Sequence, residues 1–251
     1  MAAQTPILAT QGLTMEFRGF RALDGIDLRV DAGTIHAVIG PNGAGKTTLF
    51  NLLSGLLCPS SGRIVFDGAD ITGHPPYQIA HLGVARSFQI TSVFPHLRLL
   101  DNVCLALQVR TPLRYAFWRS ERVLEQFTDE AAQILASVGL GDLAKREAHA
   151  LSYGQKRALE IGLALALRPK LLLLDEPTAG LSLEDVTRII EPIRRIAKDR
   201  TVVLVEHNMG VVAALSQRIT VLQRGRILAE GTYADLRQNP DVIEAYLGGA
   251  A

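Results

Sequence analysis

The sequence predicts an α/β fold with a mainly parallel sheet, an N-terminal antiparallel β subdomain and an inserted α-helical subdomain. Short strands that are apolar at every position, such as Leu171–Leu174, are typical of parallel strands buried on both faces. Residues 7–17 and 25–30 carry short apolar stretches separated by Asp and Gly turns, which indicates further strands. From about Leu99 to Leu143, apolar residues recur at three- and four-residue steps, which indicates helices.

The order of these patterns predicts a single domain over residues 1–251. We expect an α/β core at residues 7–98 and 150–232, and a helical subdomain at residues 99–149. A C-terminal helix and tail should occupy residues 233–251.

The composition excludes several classes of protein. Hydrophobic residues make up 48% of the chain, so it can bury a substantial core. The formal net charge of +1, without a basic block, gives no reason to expect a nucleic-acid partner. Cys58 and Cys104 lie too far apart to suggest a metal site, and we find neither a transmembrane stretch nor a signal peptide. We therefore expect a cytoplasmic chain that reaches a membrane only through another protein.

A glycine-rich loop at Gly40–Thr47 matches the phosphate-binding P-loop pattern in full. It lies between an apolar strand, Thr34–Ile39, and a stretch at Thr48–Leu57 that is predicted to be helical. The glycines let successive backbone N–H groups point at one anion, next to the positive end of the following helix. Lys46 would bind the β- and γ-phosphates, and the Thr47 hydroxyl could bind Mg²⁺. This predicts a P-loop NTPase core but leaves kinases, GTPases, helicases and transport ATPases open.

Two further apolar strands end in polar residues that could complete the site. Asp175 and Glu176 follow Leu171–Leu174, and His207 follows the strand Thr201–Val205. Ligands bind at the carboxyl edge of such sheets, so Asp175 is a candidate for Mg²⁺ and Glu176 for accepting a proton from water. A solvated acidic turn and an ordinary surface histidine are the alternatives, and the upstream P-loop makes both less favoured.

A third candidate is the turn at Leu151–Gln155, in which Ser152 can cap a helix and Gly154 leaves the backbone open. A plain capping motif is one interpretation, and a second phosphate-binding helix terminus is the other. One chain is not expected to bring both this turn and its own P-loop to the same nucleotide. A dimer, in which each chain offers the turn to the other's ATP, resolves the difficulty.

Taken together, these motifs resemble those of the ATP-binding cassette (ABC) family from Leu8 to about Gly231. Four segments resemble family motifs: Gly40–Thr48 resembles the Walker A motif, Leu171–Glu176 resembles the Walker B motif with its catalytic glutamate, Leu151–Gln155 resembles the signature motif, and Ala179–Ser182 resembles the D-loop. Three single residues also match: Gln89 resembles the Q-loop glutamine, His207 resembles the switch histidine, and Phe17 resembles the aromatic residue that stacks on adenine. The chain departs from the family pattern at Tyr153, where a glycine is usual, and at Ser182, where an aspartate is common.

The resemblance implies a full set of site residues for ATP and Mg²⁺. The residues implied for ATP are Phe17, Asn42, Gly43, Ala44, Gly45, Lys46, Thr47 and Thr48 of one subunit, with Ser152, Gly154 and Gln155 of a second. Thr47, Gln89 and Asp175 are implied for Mg²⁺. Glu176, His207, Gln89 and Lys46 are implied for catalysis of ATP hydrolysis.

Finer features resemble the branched-chain amino acid importer subfamily, notably Gly83–Gln89 and the ending Asn239–Gly248. A urea or short-amide importer is the alternative, and an exporter or a soluble ABC ATPase fits less well. The resemblance implies as partners a second ABC ATPase subunit, identical or paralogous, transmembrane permease subunits and, indirectly, a secreted substrate-binding protein. The chain would then lie on the inner face of the membrane, with the segment Ile90–Leu100 contacting a permease.

Overall fold

The computed structural model describes residues 5–87, 93–109, 111 and 125–247. Gln89 and the first residues of the predicted permease-contacting segment lie outside the described residues. Within the described part of the chain, no helix is both long and apolar enough to cross a bilayer.

The described residues form eleven strands. In chain order these are β1 Leu8–Phe17, β2 Phe20–Ile26, β3 Arg29–Val30, β4 Ile35–Ile39, β5 Ser61–Phe66, β6 Ala69–Asp70, β7 Val84–Ser87, β8 Leu171–Asp175, β9 Thr201–Val205, β10 Arg218–Gln223 and β11 Arg226–Gly231.

The helices follow in the same chain order. They are α1 Lys46–Leu53, α2 Pro76–Leu82, α3 Leu99–Gln108, α4 Thr128–Ser137, α5 Tyr153–Ala166, α6 Leu183–Ile196, α7 Met209–Leu215, α8 Tyr233–Arg237 and α9 Pro240–Leu247, with 3₁₀ turns at Gly141–Leu143 and Ala148–Ala150. Helix α1 begins at Lys46, two residues before the predicted start, and ends at Leu53 rather than Leu57. Pro192 lies inside α6, which continues on both sides of it.

The strands build two sheets, as the predicted fold class requires. Strands β1, β2, β3, β5 and β6 pair antiparallel. The larger sheet has the order β11-β10-β4-β9-β8-β7, in which only the outer strand β11 runs antiparallel to its neighbour. Strands β4, β8 and β9 are buried at every position because both faces of this sheet are covered.

The parallel sheet separates two hydrophobic clusters. Leu172 and Leu174 of β8 point into a cluster that includes residues of α3, α4, α5, α6 and α7. Their neighbours Leu171 and Leu173 point into a second cluster, shared with α1 and the antiparallel sheet. Successive side chains of a strand lie on opposite faces, so the sheet joins the helical elements to the antiparallel strands. The predicted α/β fold, with its antiparallel β part and inserted helices, is confirmed.

Candidate functional site

The P-loop connects β4 to α1 at the carboxyl edge of the parallel sheet. Gly40, Gly43 and Gly45 have φ values of +151°, +78° and +105°, which L side chains rarely adopt. Space is also restricted, since a Cβ atom on Gly45 would lie 2.6 Å from Leu23 Cδ2 and 2.8 Å from Ala22 O. The loop conformation therefore depends on glycine and on the neighbouring strand β2.

The ammonium group of Lys46 folds back onto this loop. Its Nζ donates to the backbone oxygens of Gly40, at 2.7 Å, and Pro41, at 3.0 Å. Burial holds the pKa of Lys46 below its usual value, and the carboxylates of Glu176 and Asp175 oppose that shift. The two carboxylates at the end of β8 therefore lie close enough to interact with the charge of Lys46 in the P-loop.

Asp175 ends β8 as a buried carboxylate with a buried cationic partner. Its Oδ2 accepts a hydrogen bond from Arg86 of β7 at 2.6 Å, and both side chains are less than a tenth exposed. The same guanidinium donates to Asn51 Oδ1 at 2.7 Å and to Ser54 Oγ at 3.1 Å, both in the region of α1. Arg86 thus links β7, β8 and the C-terminal end of α1.

Glu176 takes the next position, in an unusual backbone conformation. Its φ is +48°, which is rare for a residue with a side chain, and its N–H donates to Val205 O at 3.0 Å. Glu176 Oε1 lies 3.0 Å from His207 Nε2. The ends of β8 and β9 therefore bring the predicted base and the predicted histidine into contact.

A buried carboxylate, Glu206, organises the turn that carries His207. Its Oε1 accepts from the N–H of Thr178 at 3.0 Å and from its hydroxyl at 2.7 Å. Its Oε2 accepts from the N–H of His207 at 3.1 Å. Glu206 thereby joins the loop after Glu176 to the loop that bears the histidine.

The turn before α5 has the capping geometry that the sequence predicted. Ser152 Oγ accepts from Gln155 N–H at 3.3 Å, and Gln155 Oε1 accepts from Ser152 N–H at 3.0 Å. A Cβ atom on Gly154 would lie 2.9 Å from Asp185 Cγ, so glycine is needed for close packing there as well as for an open backbone. This observation confirms the cap; the predicted contact with a second subunit's ATP remains a prediction.

The two departures from the family pattern have visible structural roles. The exposed ring of Tyr153 lies beside the D-loop, with Cε1 3.5 Å from the position of a Cβ on Gly180. Ser182 caps α6, since its Oγ accepts from Asp185 N–H at 3.2 Å and donates to Asp185 Oδ2 at 3.0 Å.

The remaining predicted nucleotide contacts lie around the P-loop. Asn42, Gly43 and Thr47 are exposed there, whereas Ala44 is buried and Thr48 is partly buried. Phe17 is 41% exposed and ends β1 opposite Phe20, at the tip of the hairpin whose second strand contacts Gly45. Gln89 falls outside the described residues.

Sequence reasoning missed Arg86, Glu206 and Arg157. Arg157 lies in α5 and donates to the backbone oxygens of Asp175, at 3.3 Å, and Glu176, at 3.0 Å. Arg86 and Glu206 were visible as charged residues in or beside otherwise apolar strands, a signal that indicates a buried pair. No local signal identified their partners, which are distant in the chain.

Comparison with known protein families shows the family of this chain. The model of the ABC transporter family matches residues 23–179, well over half of the chain. The chain belongs to the ABC transporter family. A second model, described as a branched-chain amino acid ATP-binding cassette transporter, matches residues 226–251 of this ABC ATPase.

The ABC ATPase is similar to curated proteins over nearly its full length. It is 41% identical to the high-affinity branched-chain amino acid transport ATP-binding protein BraF of Pseudomonas aeruginosa, over 98% of this chain and 99% of that protein. It is 38% identical to the corresponding protein LivG of Escherichia coli K12, with the same coverage.

Solved structures agree with this assignment. An ABC transporter cassette in its ADP conformation superimposes with a TM-score of 0.85 at 32% identity, covering 97% of this chain and 99% of that one. A dimeric cassette in a post-hydrolysis state with ADP and Pi gives 0.75 at 25% identity, covering 90% and 98%. The ABC ATPase is therefore a nucleotide-binding chain whose fold matches structures of the hydrolytic cycle.

Proposed function

We propose that this ABC ATPase drives the import of branched-chain or other hydrophobic amino acids. The observation that carries the proposal is the similarity over nearly the full length of the chain, at 38–41% identity, to ATP-binding proteins of branched-chain amino acid transport. The match of residues 226–251 to the subfamily model supports the same substrate class.

ATP binding is assigned to the P-loop and the β1–β2 hairpin. The phosphates would lie against the N–H groups of residues 42–48, at the N-terminus of α1, where backbone donors and the helix dipole favour negative charge. Lys46 supplies a compact positive charge beside them. The exposed ring of Phe17 offers an apolar face for stacking on adenine.

Mg²⁺ fits the donor set at the same edge of the sheet. Thr47 and Asp175 offer hydroxyl and carboxylate oxygens, the ligand type that Mg²⁺ prefers, and Gln89 is the third proposed ligand. When bound, the ion would neutralise charge on the β- and γ-phosphates.

Hydrolysis is assigned to Glu176 and His207. Glu176 orients the attacking water and accepts its proton, while Lys46 and His207 donate to the charge that develops on the transferred phosphoryl group. The 3.0 Å contact between Glu176 Oε1 and His207 Nε2 supports this assignment, because it brings the two groups together. Phosphoryl transfer depends mainly on positioning and charge stabilisation, which this arrangement supplies.

A second ABC ATPase subunit is proposed to complete each site. Ser152, Gly154 and Gln155 of one subunit would close on the ATP held by the P-loop of the other. The capped, exposed start of α5 supports this role, and a similar cassette has been solved as a dimer. ATP would then hold together two surfaces that separate after hydrolysis.

We also propose that the dimer docks onto transmembrane permease subunits on the cytoplasmic side of the membrane. The described part of the predicted docking segment exposes Phe94 and Leu97 beside the inserted helices. Asn102 holds this segment, since its amide donates to Phe94 O at 3.1 Å and to Leu97 O at 3.3 Å. A secreted substrate-binding protein would deliver the amino acid to the permeases.

Uptake in cells tests the proposal directly. Cells that lack this chain but keep the rest of its transport system should regain ATP-dependent uptake of labelled leucine, isoleucine and valine when it is restored. The variant Lys46→Ala, produced at the same level, should restore none of it. Recovery of urea uptake without leucine uptake would reject the amino-acid assignment while leaving the ATPase assignment intact.

A further inference from the structure

Arg157 of α5 connects two parts of the molecule that serve different nucleotides in the proposed dimer. It lies one helical turn beyond the cap at Ser152, in a 14-residue helix. Its guanidinium reaches the end of β8, where Nη2 donates to Asp175 O at 3.3 Å and to Glu176 O at 3.0 Å. The side chain is only 7% exposed, so solvent does not compete freely for these bonds.

The two hydrogen bonds from Arg157 constrain the backbone of Glu176, the proposed base. The carbonyls of Asp175 and Glu176 belong to the peptide units on either side of the Glu176 Cα atom. Fixing both peptide units fixes the φ and ψ angles between them. Glu176 has a φ of +48°, a conformation that needs support from its surroundings. Arg157 provides support at this position and thereby sets the direction in which the Glu176 carboxylate leaves the chain.

Glu160 orients the guanidinium from one turn further along α5. Its Oε2 accepts from Arg157 Nη1 at 2.8 Å, and its side chain is 9% exposed. Burial raises the pKa of Glu160, and the hydrogen bond from Arg157 opposes that shift. The planar guanidinium can serve the carboxylate and the two carbonyls at once, whereas a lysine ammonium has no such fixed fork.

We propose that Arg157 is a positioning residue for ATP hydrolysis. Through it, the orientation of the Glu176 carboxylate depends on the position of α5 in the same chain. The inference rests on the proposed function, in which the first turn of α5 contacts the ATP of the second subunit. An α-helix moves as a rigid element over one turn, so a shift of Ser152 is transmitted to Arg157. When the first turn of α5 closes on the ATP of the second subunit, Glu176 would therefore be reoriented at the ATP held by its own chain.

The test is a double-mutant cycle between Arg157→Gln and Glu176→Gln. We expect Arg157→Gln alone to lower kcat by about 10- to 100-fold with KM for ATP nearly unchanged, because a misplaced group slows chemistry without removing binding. In the Glu176→Gln background, the same substitution should change the residual rate by less than about 2-fold, because no base remains to position. Arg157→Lys should recover only part of the rate.

A matched control comes from Arg194 of α6. It also pairs with a glutamate three residues away, Glu191 at 3.2 Å, and donates to a backbone oxygen, Ala214 O at 3.0 Å, but it is half exposed. Arg194→Gln should leave kcat within about 2-fold of the native value.

Folding and nucleotide binding are checked separately. Circular dichroism and the affinity for a fluorescent ATP analogue should match the native protein. If Arg157→Gln fails to fold because Glu160 is left unpaired, Arg157→Gln/Glu160→Gln replaces it in the cycle.

The possible results distinguish the inference from the proposed function. A native rate for Glu176→Gln would reject Glu176 as the base and with it the proposed site. A slow Glu176→Gln together with a native kcat for Arg157→Gln would overturn only the inference. An equal loss of rate in both backgrounds would also overturn it, because Arg157 would then act independently of Glu176.

Discussion

Glu176 Oε1 lies 3.0 Å from His207 Nε2, although the two residues are 31 positions apart and follow different strands. Two interactions hold the backbone of the loops that carry these residues. The N–H of Glu176 donates to Val205 O at 3.0 Å, and Glu206 joins the loops that follow β8 and β9. The relative position of base and histidine is therefore built into the parallel sheet, and the consequences can be tested one residue at a time.

Glu176→Gln should separate nucleotide binding from hydrolysis. The amide keeps the shape and the contact with His207 but accepts a proton from water poorly, so kcat should fall by ~10²–10⁴. The affinity for ATP should stay within a few fold of the native value, and ATP should trap a dimer in size-exclusion chromatography. Glu191→Gln, at an exposed position of α6, is the control. Hydrolysis at the native rate would contradict the assignment of the base.

Arg86→Met should destabilise the protein strongly. It leaves the Asp175 carboxylate, which is 4% exposed, without its cationic partner, and breaking a buried pair in this way costs about 3–5 kcal/mol. Urea denaturation at pH 7 measures the loss. Arg168→Met removes an exposed pair with Glu130 and should cost less than about 1 kcal/mol.

The double variant Arg86→Met/Asp175→Asn checks the mechanism of that loss. It removes the stranded charge, so it should be more stable than Arg86→Met alone. If the double variant is the less stable of the two, the unpaired charge of Asp175 is not the cause of the loss in Arg86→Met.

Gly45→Ala should weaken nucleotide binding and lower stability by about 1–3 kcal/mol. The φ of +105° is unfavourable for alanine, and its Cβ would meet Ala22 O at 2.8 Å. Leu23 could move its methyl group away, but the backbone oxygen of Ala22 is fixed in β2. Thermal unfolding with and without ATP measures both effects.

Gly68→Ala provides the comparison for Gly45→Ala. Its φ of +79° is also positive, yet nothing lies within 4 Å of the added Cβ. This variant therefore reports backbone strain alone. Similar losses for the two variants would show that the close approach of β2 contributes little.

His36 should make the protein less stable in mild acid. Desolvation, with a smaller contribution from Arg218, lowers the pKa of this buried histidine to about 4, against an ordinary value of 6.5. Between these values the unfolded state binds more protons, so stability is complete above pH 6.5 and falls as the pH decreases towards 4. The loss at pH 5 should be about 2 kcal/mol.

Urea titrations of native protein and His36→Gln at pH 7.5 and pH 5 test this prediction. The change in stability between the two pH values should be smaller in the variant by about that amount. His74→Gln, which removes a histidine from another part of the chain, is the control for the substitution itself. Equal pH dependence of the native protein and His36→Gln would contradict a neutral buried imidazole.

The sequence predicted the parts of the fold and site that are local in the chain. The P-loop and the cap at Ser152 are short contiguous patterns, and the apolar strand before Asp175 reveals where that carboxylate emerges. Each of these signals arises from backbone geometry or burial within a few residues. Helix boundaries were less accurate: α1 ends at Leu53 rather than Leu57, because Ser54 caps it and Gly55 follows with a φ of +73°, a conformation typical of helix ends.

The parts that could not be predicted depend on pairs of residues that are distant in sequence. Arg86 and Asp175 are separated by 89 positions, and Thr178 and Glu206 by 28. The order of strands in the sheet determines which charged residues pair, and no single segment of the sequence encodes that order. The same applies to the contact of Arg157 with the end of β8, because its acceptors there are backbone oxygens, which carry no sequence signal.

The P-loop is hydrogen-bonded to a residue that is translated much later than the loop itself. Ala44 O accepts from Gly225 N–H at 3.1 Å, and Gly225 O accepts from Asp24 N–H at 2.8 Å. A ribosome makes residues 40–47 early but Gly225 only when nearly nine-tenths of the chain is complete. A nascent chain therefore lacks both hydrogen bonds until Gly225 has been made, and fragments that end before Gly225 should bind ATP more weakly than the full chain.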